Sequence, residues 1–151
     1  MTKHEEMTKP KNTRRYNDAN WLDDTRSVVR EEPDATRVYD LEERTARSGE
    51  AVLDFAKTIP QGPTTDRIIG QLIGAATNVG ANYVETDDSV SKKEFLKCIG
   101  TCKKEARETK HFLRMIVRAV PKLKPEARKL WLEARELHRI FSKIWRSGHQ
   151  K

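Results

Sequence analysis

The chain has 151 residues, with 30 Lys and Arg against 23 Asp and Glu, a formal net charge of +7, and a hydrophobic share of 36%. That length suits one domain with one core. No apolar run reaches the length of a membrane span and the N-terminal stretch lacks the apolar centre of a signal peptide, so a cytoplasmic protein with no membrane partner is expected.

The charge is unevenly placed. Residues 92–151 hold 18 basic and 6 acidic side chains, whereas residues 37–91 hold 5 basic and 9 acidic ones. A basic second half points to nucleic acid, RNA or DNA, as a partner. The plainer alternative is a solvated lysine- and arginine-rich surface.

In chain order, residues 1–36 read as a tail, disordered or ordered by a partner. They hold few apolar side chains and carry Pro10 and Pro33. A bundle domain is expected over 37–147. Its first helix runs from about Val38 to Ile59, with Val38, Leu41, Thr45, Ser48, Val52, Phe55 and Ile59 repeating every three or four residues. Pro60, Gly62 and Pro63 stop it and force a short connection, which favours an antiparallel neighbour.

The second helix spans about Thr65 to Glu85, with Thr64 or Thr65 as its cap. From Ile68 to Val84 it carries no charge. Apolar residues lie all round it, so it is expected to be the most buried helix. Gly70, Gly74 and Gly80 cost helix propensity, and close approach of other backbones is the expected return. So little side chain leaves room for a subunit contact as a second cover. Asn78, Asn82 and Glu85 share one face, where buried amides would tie helices together or fix subunit register.

The third helix opens on Ser91-Lys92-Lys93-Glu94, a capping box. Its expected seam is Phe95, Ile99, Cys102, Ala106, Thr109, Leu113, Ile116 and Val120. Opposite that seam lie Lys93, Lys97, Lys104, Arg107, His111, Arg114 and Arg118, centred about 150° away. Such a stripe can track a phosphate backbone. The fourth helix runs from about Pro125 to Arg146, with Gly148 as its stop. Leu130, Ala134, Leu137, Phe141 and Ile144 form its seam. Trp131, His138 and Trp145 recur beside it every seven residues, available for stacking on bases or, better, for a subunit contact.

Sites for chemistry are not apparent. Cys98 and Cys102 sit four apart on one helix, poorly placed for a disulfide and short of partners for zinc, so they read as buried thiols. No phosphate-binding loop and no nucleophile elbow is present. No enzyme, no cofactor and no metal is expected.

Three stretches carry a resemblance. They are Asp40-Leu41-Glu42-Glu43-Arg44-Thr45; Gln71-Leu72 with Asn78-Val79-Gly80-Ala81-Asn82-Tyr83 and Glu85; and Lys93-Glu94-Phe95 with Lys104-Glu105-Ala106-Arg107-Glu108-Thr109. Together they resemble the bacterial family of proteins encoded in intervening sequences of 23S ribosomal RNA genes, over about Tyr39 to Ile116. The resemblance implies an all-α, up-down-up-down four-helix bundle that assembles with itself, typically as a homopentamer. A related branch comprises the accessory variability determinants of diversity-generating retroelements, which bind nucleic acid and a reverse transcriptase. The resulting expectation is a non-enzymatic oligomer that binds nucleic acid through Lys93, Lys97, Lys104, Arg107, Arg114 and Arg118. Asn78, Asn82, Tyr83, Glu85, Trp131 and Trp145 are its expected structural or subunit-contact residues. The alternative is a protein-interaction scaffold, such as an accessory subunit of a reverse transcriptase.

Overall fold

The structure is a computed structural model that describes residues 40–150. The expected tail over 1–36 and the first seam residue, Val38, lie outside the described residues. The described residues form an all-α four-helix bundle: α1 (Leu41–Thr58), α2 (Asp66–Val84), α3 (Lys92–Ala119) and α4 (Lys124–His149). Short 3-10 turns, Glu85–Asp88 and Pro121–Leu123, precede α3 and α4. Each helix packs on its neighbours in sequence, and α1 also meets α4, which closes the ring.

Side chains set the helix ends. Asp40 caps α1, its Oδ1 accepting from the Glu43 amide at 3.1 Å. Ser91 caps α3 in the same way, accepting from the Glu94 amide at 3.1 Å, while the Glu94 carboxylate reaches back to the Val90 amide at 3.2 Å. The capping box is thus reciprocal, with the return bond one residue earlier than Ser91. At α2 the cap differs from expectation. The Thr65 hydroxyl donates to the Pro60 carbonyl at 2.5 Å and ties the loop instead of the helix end.

One layer of the core draws on all four helices: Leu41, Val79, Ile99, Cys102, Ala106, Leu137 and Phe141. The α3 seam is buried from Ile99 to Ile116 as its spacing predicts, but Leu96 is buried in place of Phe95, which packs at the margin. On α4 the seam begins with Ala127 and Trp131, so Trp131 takes the place expected for Leu130. A larger apolar surface gains more from burial than leucine does.

Two glycines bring α1 and α2 together. A Cβ at Gly80 would lie 3.2 Å from Thr45 Oγ1, and one at Gly49 would lie 3.5 Å from the Ala76 carbonyl oxygen. Gly70 and Gly74 do not serve this purpose, since a Cβ at either meets nothing within 4 Å. Nor is α2 the most buried helix. Only Leu72, Ala75, Ala76 and Val79 are buried on it, while Gly70, Gln71, Asn78, Ala81 and Val84 are exposed. Small side chains reach few neighbours, so an uncharged face can still lack cover within one chain.

Gly148 is not a helix stop. The helix continues to His149, and a Cβ at 148 would overlap the Leu96 side chain. The glycine admits Leu96 where α3 and α4 converge. A reciprocal fit lies one turn further in, where a Cβ at Gly100 would stand 3.3 Å from Trp145 Nε1. No helix of the described residues is long and apolar enough to cross a membrane.

Candidate nucleic-acid interface

The candidate interface is built on α3. Its seam faces the core, and the residues about half a turn away face solvent. Lys93, Lys97, Lys104, Arg107, Arg114 and Arg118 are all exposed, as is His111. From Lys93 to Arg118 the stripe extends about 38 Å along the helix axis. Lys104 has a carboxylate nearby, Glu108 at 4.0 Å. No ion pair among the described residues engages the other five. An exposed pair contributes only about 0–1 kcal/mol, so Glu108 competes weakly for Lys104.

Acidic residues on α3 keep to the flank. Partial burial, then the neighbouring Glu108, pushes the Glu105 carboxyl up from its ordinary value, and Lys104 offsets part of this. The stripe itself is therefore uninterrupted by carboxylates.

Two lysines on the other flank were not apparent from the stripe. Lys103 Nζ lies 4.9 Å from the Trp145 ring centroid, and Lys110 Nζ lies 5.3 Å from that of Trp131. The sequence did hold a signal: a lysine pair seven apart on α3 faces a tryptophan repeat on α4. Cations over indole faces are stabilised by the ring quadrupole, by about 0.5–1 kcal/mol where water reaches them. Arg135 also lies over Trp131, at 5.4 Å.

The aromatic residues divide. Trp131 is 2% exposed, so it belongs to the core and cannot stack on a base. His138 is half-buried. Trp145 is half-buried at the far end of α4, its ring centroid 4.0 Å from that of His149. The six amino acids Lys92, Lys93, Leu96, Lys97, Trp145 and His149 line a cavity of about 450 Å³ at that end.

The group on α2 is not a buried polar cluster. Asn78 is exposed, and Asn82 Nδ2 donates to the Asn78 carbonyl at 2.8 Å, within its own helix. Glu85 is exposed in the 3-10 turn that follows. The shared face predicted by their spacing points away from this chain's core, so these amides do not tie its helices together. Tyr83 does face inward, its ring 5.8 Å from that of Phe141. Burial, then Asp87, raises its phenol above the ordinary value.

Cys102 is buried, and its Sγ lies 3.5 Å from the Val79 carbonyl oxygen. Burial pushes its thiol up to about 12, so it stays protonated and unreactive at neutral pH. Cys98 is free and half-buried. Among the described residues no group of three or more His, Cys, Asp and Glu side chains gathers to hold a metal ion.

The bundle fold has a solved counterpart. A crystal structure of a protein of unknown function from the S23 ribosomal protein family, from Bacteroides thetaiotaomicron, matches with a TM-score of 0.64. The match covers 70% of this chain and 97% of that one, at 17% sequence identity. The likeness establishes a shared fold. A scan of protein-family models and a search of curated proteins find no match to the sequence.

Proposed function

We propose that this protein is a homo-oligomeric bundle that binds nucleic acid without reading its sequence, through the exposed basic face of α3. One observation carries the reading. Six cationic side chains occupy one helix face, all exposed, and five of them have no ion-pair partner among the described residues. Cations spread along a rod can follow successive phosphates and release counterions on contact. The resemblance to the 23S ribosomal RNA intervening-sequence family supports the reading, and the fold shared with a member of the S23 ribosomal protein family agrees coarsely with that resemblance.

Self-association is the second part of the reading, with five subunits as the number the resemblance implies. It is supported by the face of α2 that no other described residue covers, where Gly70, Gly74 and Ala81 leave room for another backbone. The same face favours the scaffold alternative, in which a reverse transcriptase or other protein occupies it. Light scattering of the purified protein tests self-association, which gives a multiple of the chain mass without a partner, and nucleic-acid binding by that purified protein separates the first reading from the scaffold.

The direct test is RNA and DNA binding by wild type and by a Lys104→Glu/Arg107→Glu/Arg114→Glu variant. All three positions are exposed, so the fold is expected to survive. The variant loses most of the affinity if the reading is right. Equal affinities would refute it.

A further inference from the structure

The basic stripe runs into the cavity where α3 begins and α4 ends. Lys93 and Lys97, its first two residues, line the cavity together with Lys92 and His149. Leu96 and Trp145 supply the apolar wall. Among the described residues no carboxylate lines it, and the nearby Glu94 carboxylate is engaged with the Val90 amide. Its volume is about 450 Å³ and it opens broadly to solvent, so a strand end can reach it.

The wall is held in place by packing. The edge of the Trp145 indole rests over Gly100, and Leu96 rests against Gly148, so each helix seats a large side chain of the other on a glycine. His149 is held through Nδ1, which lies 2.7 Å from the Trp145 carbonyl oxygen. A carbonyl only accepts, so Nδ1 carries the proton, and Nε2 remains for a ligand. Lys103 stands over the Trp145 ring and adds a further positive charge near the cavity.

Three ammonium groups and an imidazole beside an aromatic wall match an anion joined to a flat ring. We propose that this cavity binds a nucleoside monophosphate group, its phosphate against Lys92, Lys93 and Lys97 and its base against the Trp145–His149 pair. A terminal phosphomonoester carries nearly two negative charges, against one for an internal diester, and so fits clustered lysines better. The site then receives the phosphorylated end of a strand whose following phosphates lie along the α3 stripe. This rests on the nucleic-acid reading above, although a free mononucleotide offers the same chemistry.

The test compares one short single-stranded RNA with a 5′-phosphate and with a 5′-hydroxyl, by fluorescence anisotropy with the label at the 3′ end. The phosphorylated strand is expected to bind about tenfold tighter, the effect of one charge-assisted hydrogen bond. A Lys92→Gln variant, changed only at an exposed position that faces the phosphate, should lose most of that ratio and keep its affinity for the hydroxyl strand. The Lys104→Glu/Arg107→Glu/Arg114→Glu variant should weaken both strands and keep the ratio. Equal binding of the two strands by the wild type overturns the strand-end proposal. Equilibrium dialysis with AMP alone tests the cavity even where no strand binds. Uptake of AMP that Lys92→Gln/His149→Ala abolishes assigns the cavity to a free nucleotide. Competition by inorganic phosphate as strong as that by AMP refutes recognition of the base.

Discussion

Arg44 and Glu133 hold each other with two hydrogen bonds, Nε to Oε1 at 2.6 Å and Nη2 to Oε2 at 3.2 Å. They join α1 to α4, the contact that closes the bundle. Their side chains keep 27% and 35% of their exposure, so solvent screens the pair only in part. A forked geometry of this kind predicts a coupling of about 1 kcal/mol. A double-mutant cycle with Arg44→Met and Glu133→Gln in urea measures it. Additive single effects would mean that packing alone closes the ring.

Burial of Cys102 predicts a dependence on alkaline pH. Its thiol is raised from 9.0 to about 12, so the folded state holds the proton more firmly than the unfolded chain does. The stabilisation is therefore complete below the unfolded value and declines as pH rises from there toward the folded one. The limiting slope for one group is about 1.4 kcal/mol per pH unit. Urea unfolding of wild type and Cys102→Ala between neutral pH and pH 10.5 should show their stability difference narrowing. A difference that stays constant across that range contradicts the buried thiol.

Gly80 and Gly74 should respond oppositely to bulk. At Gly80 a side chain meets Thr45, which is 1% exposed and donates to the Leu41 carbonyl at 2.6 Å. Gly80→Leu is expected to destabilise by about 1–3 kcal/mol through overpacking. At Gly74 a side chain meets open space, so Gly74→Leu should remain fully helical by circular dichroism. It should nevertheless lower the particle mass in light scattering, because the proposed subunit contact needs that space. An unchanged oligomer would place the contact elsewhere.

Much of this bundle is legible in its sequence, and the places where it is not have a common cause. Repeats of three and four find the core face of α1 and α3 because an α-helix has only one way to bury such a stripe. The same repeats find the exposed basic face of α3 as its complement. Periodicity does not say which of two adjacent residues a partner helix covers, and this decides between Phe95 and Leu96 and between Leu130 and Trp131. Gly148 looks like a stop until Leu96 is seen against it. The uncharged surface of α2 shows that water is tolerated there, not that another helix of the chain is present. For that reason Asn78, Asn82 and Glu85 tie no helices of this chain together, and a subunit contact is the role that remains expected of them. The cavity joins Lys92 to His149, residues distant in sequence, so only the antiparallel register of α3 and α4 brings it into view.

The central claim is that the α3 stripe binds a phosphate backbone, and its salt dependence tests this most directly. Six phosphate contacts to a single strand predict a slope of log affinity against log salt of about −4. Reversing charge at Lys104, Arg107 and Arg114 should make that slope shallower by about 2 units, at about 0.7 for each lost contact. The measurement is a titration of one single-stranded RNA at four or more salt concentrations with both proteins. A steep wild-type slope that becomes shallow in the variant is the predicted result. A flat wild-type slope, or the same slope in both proteins, would contradict the account.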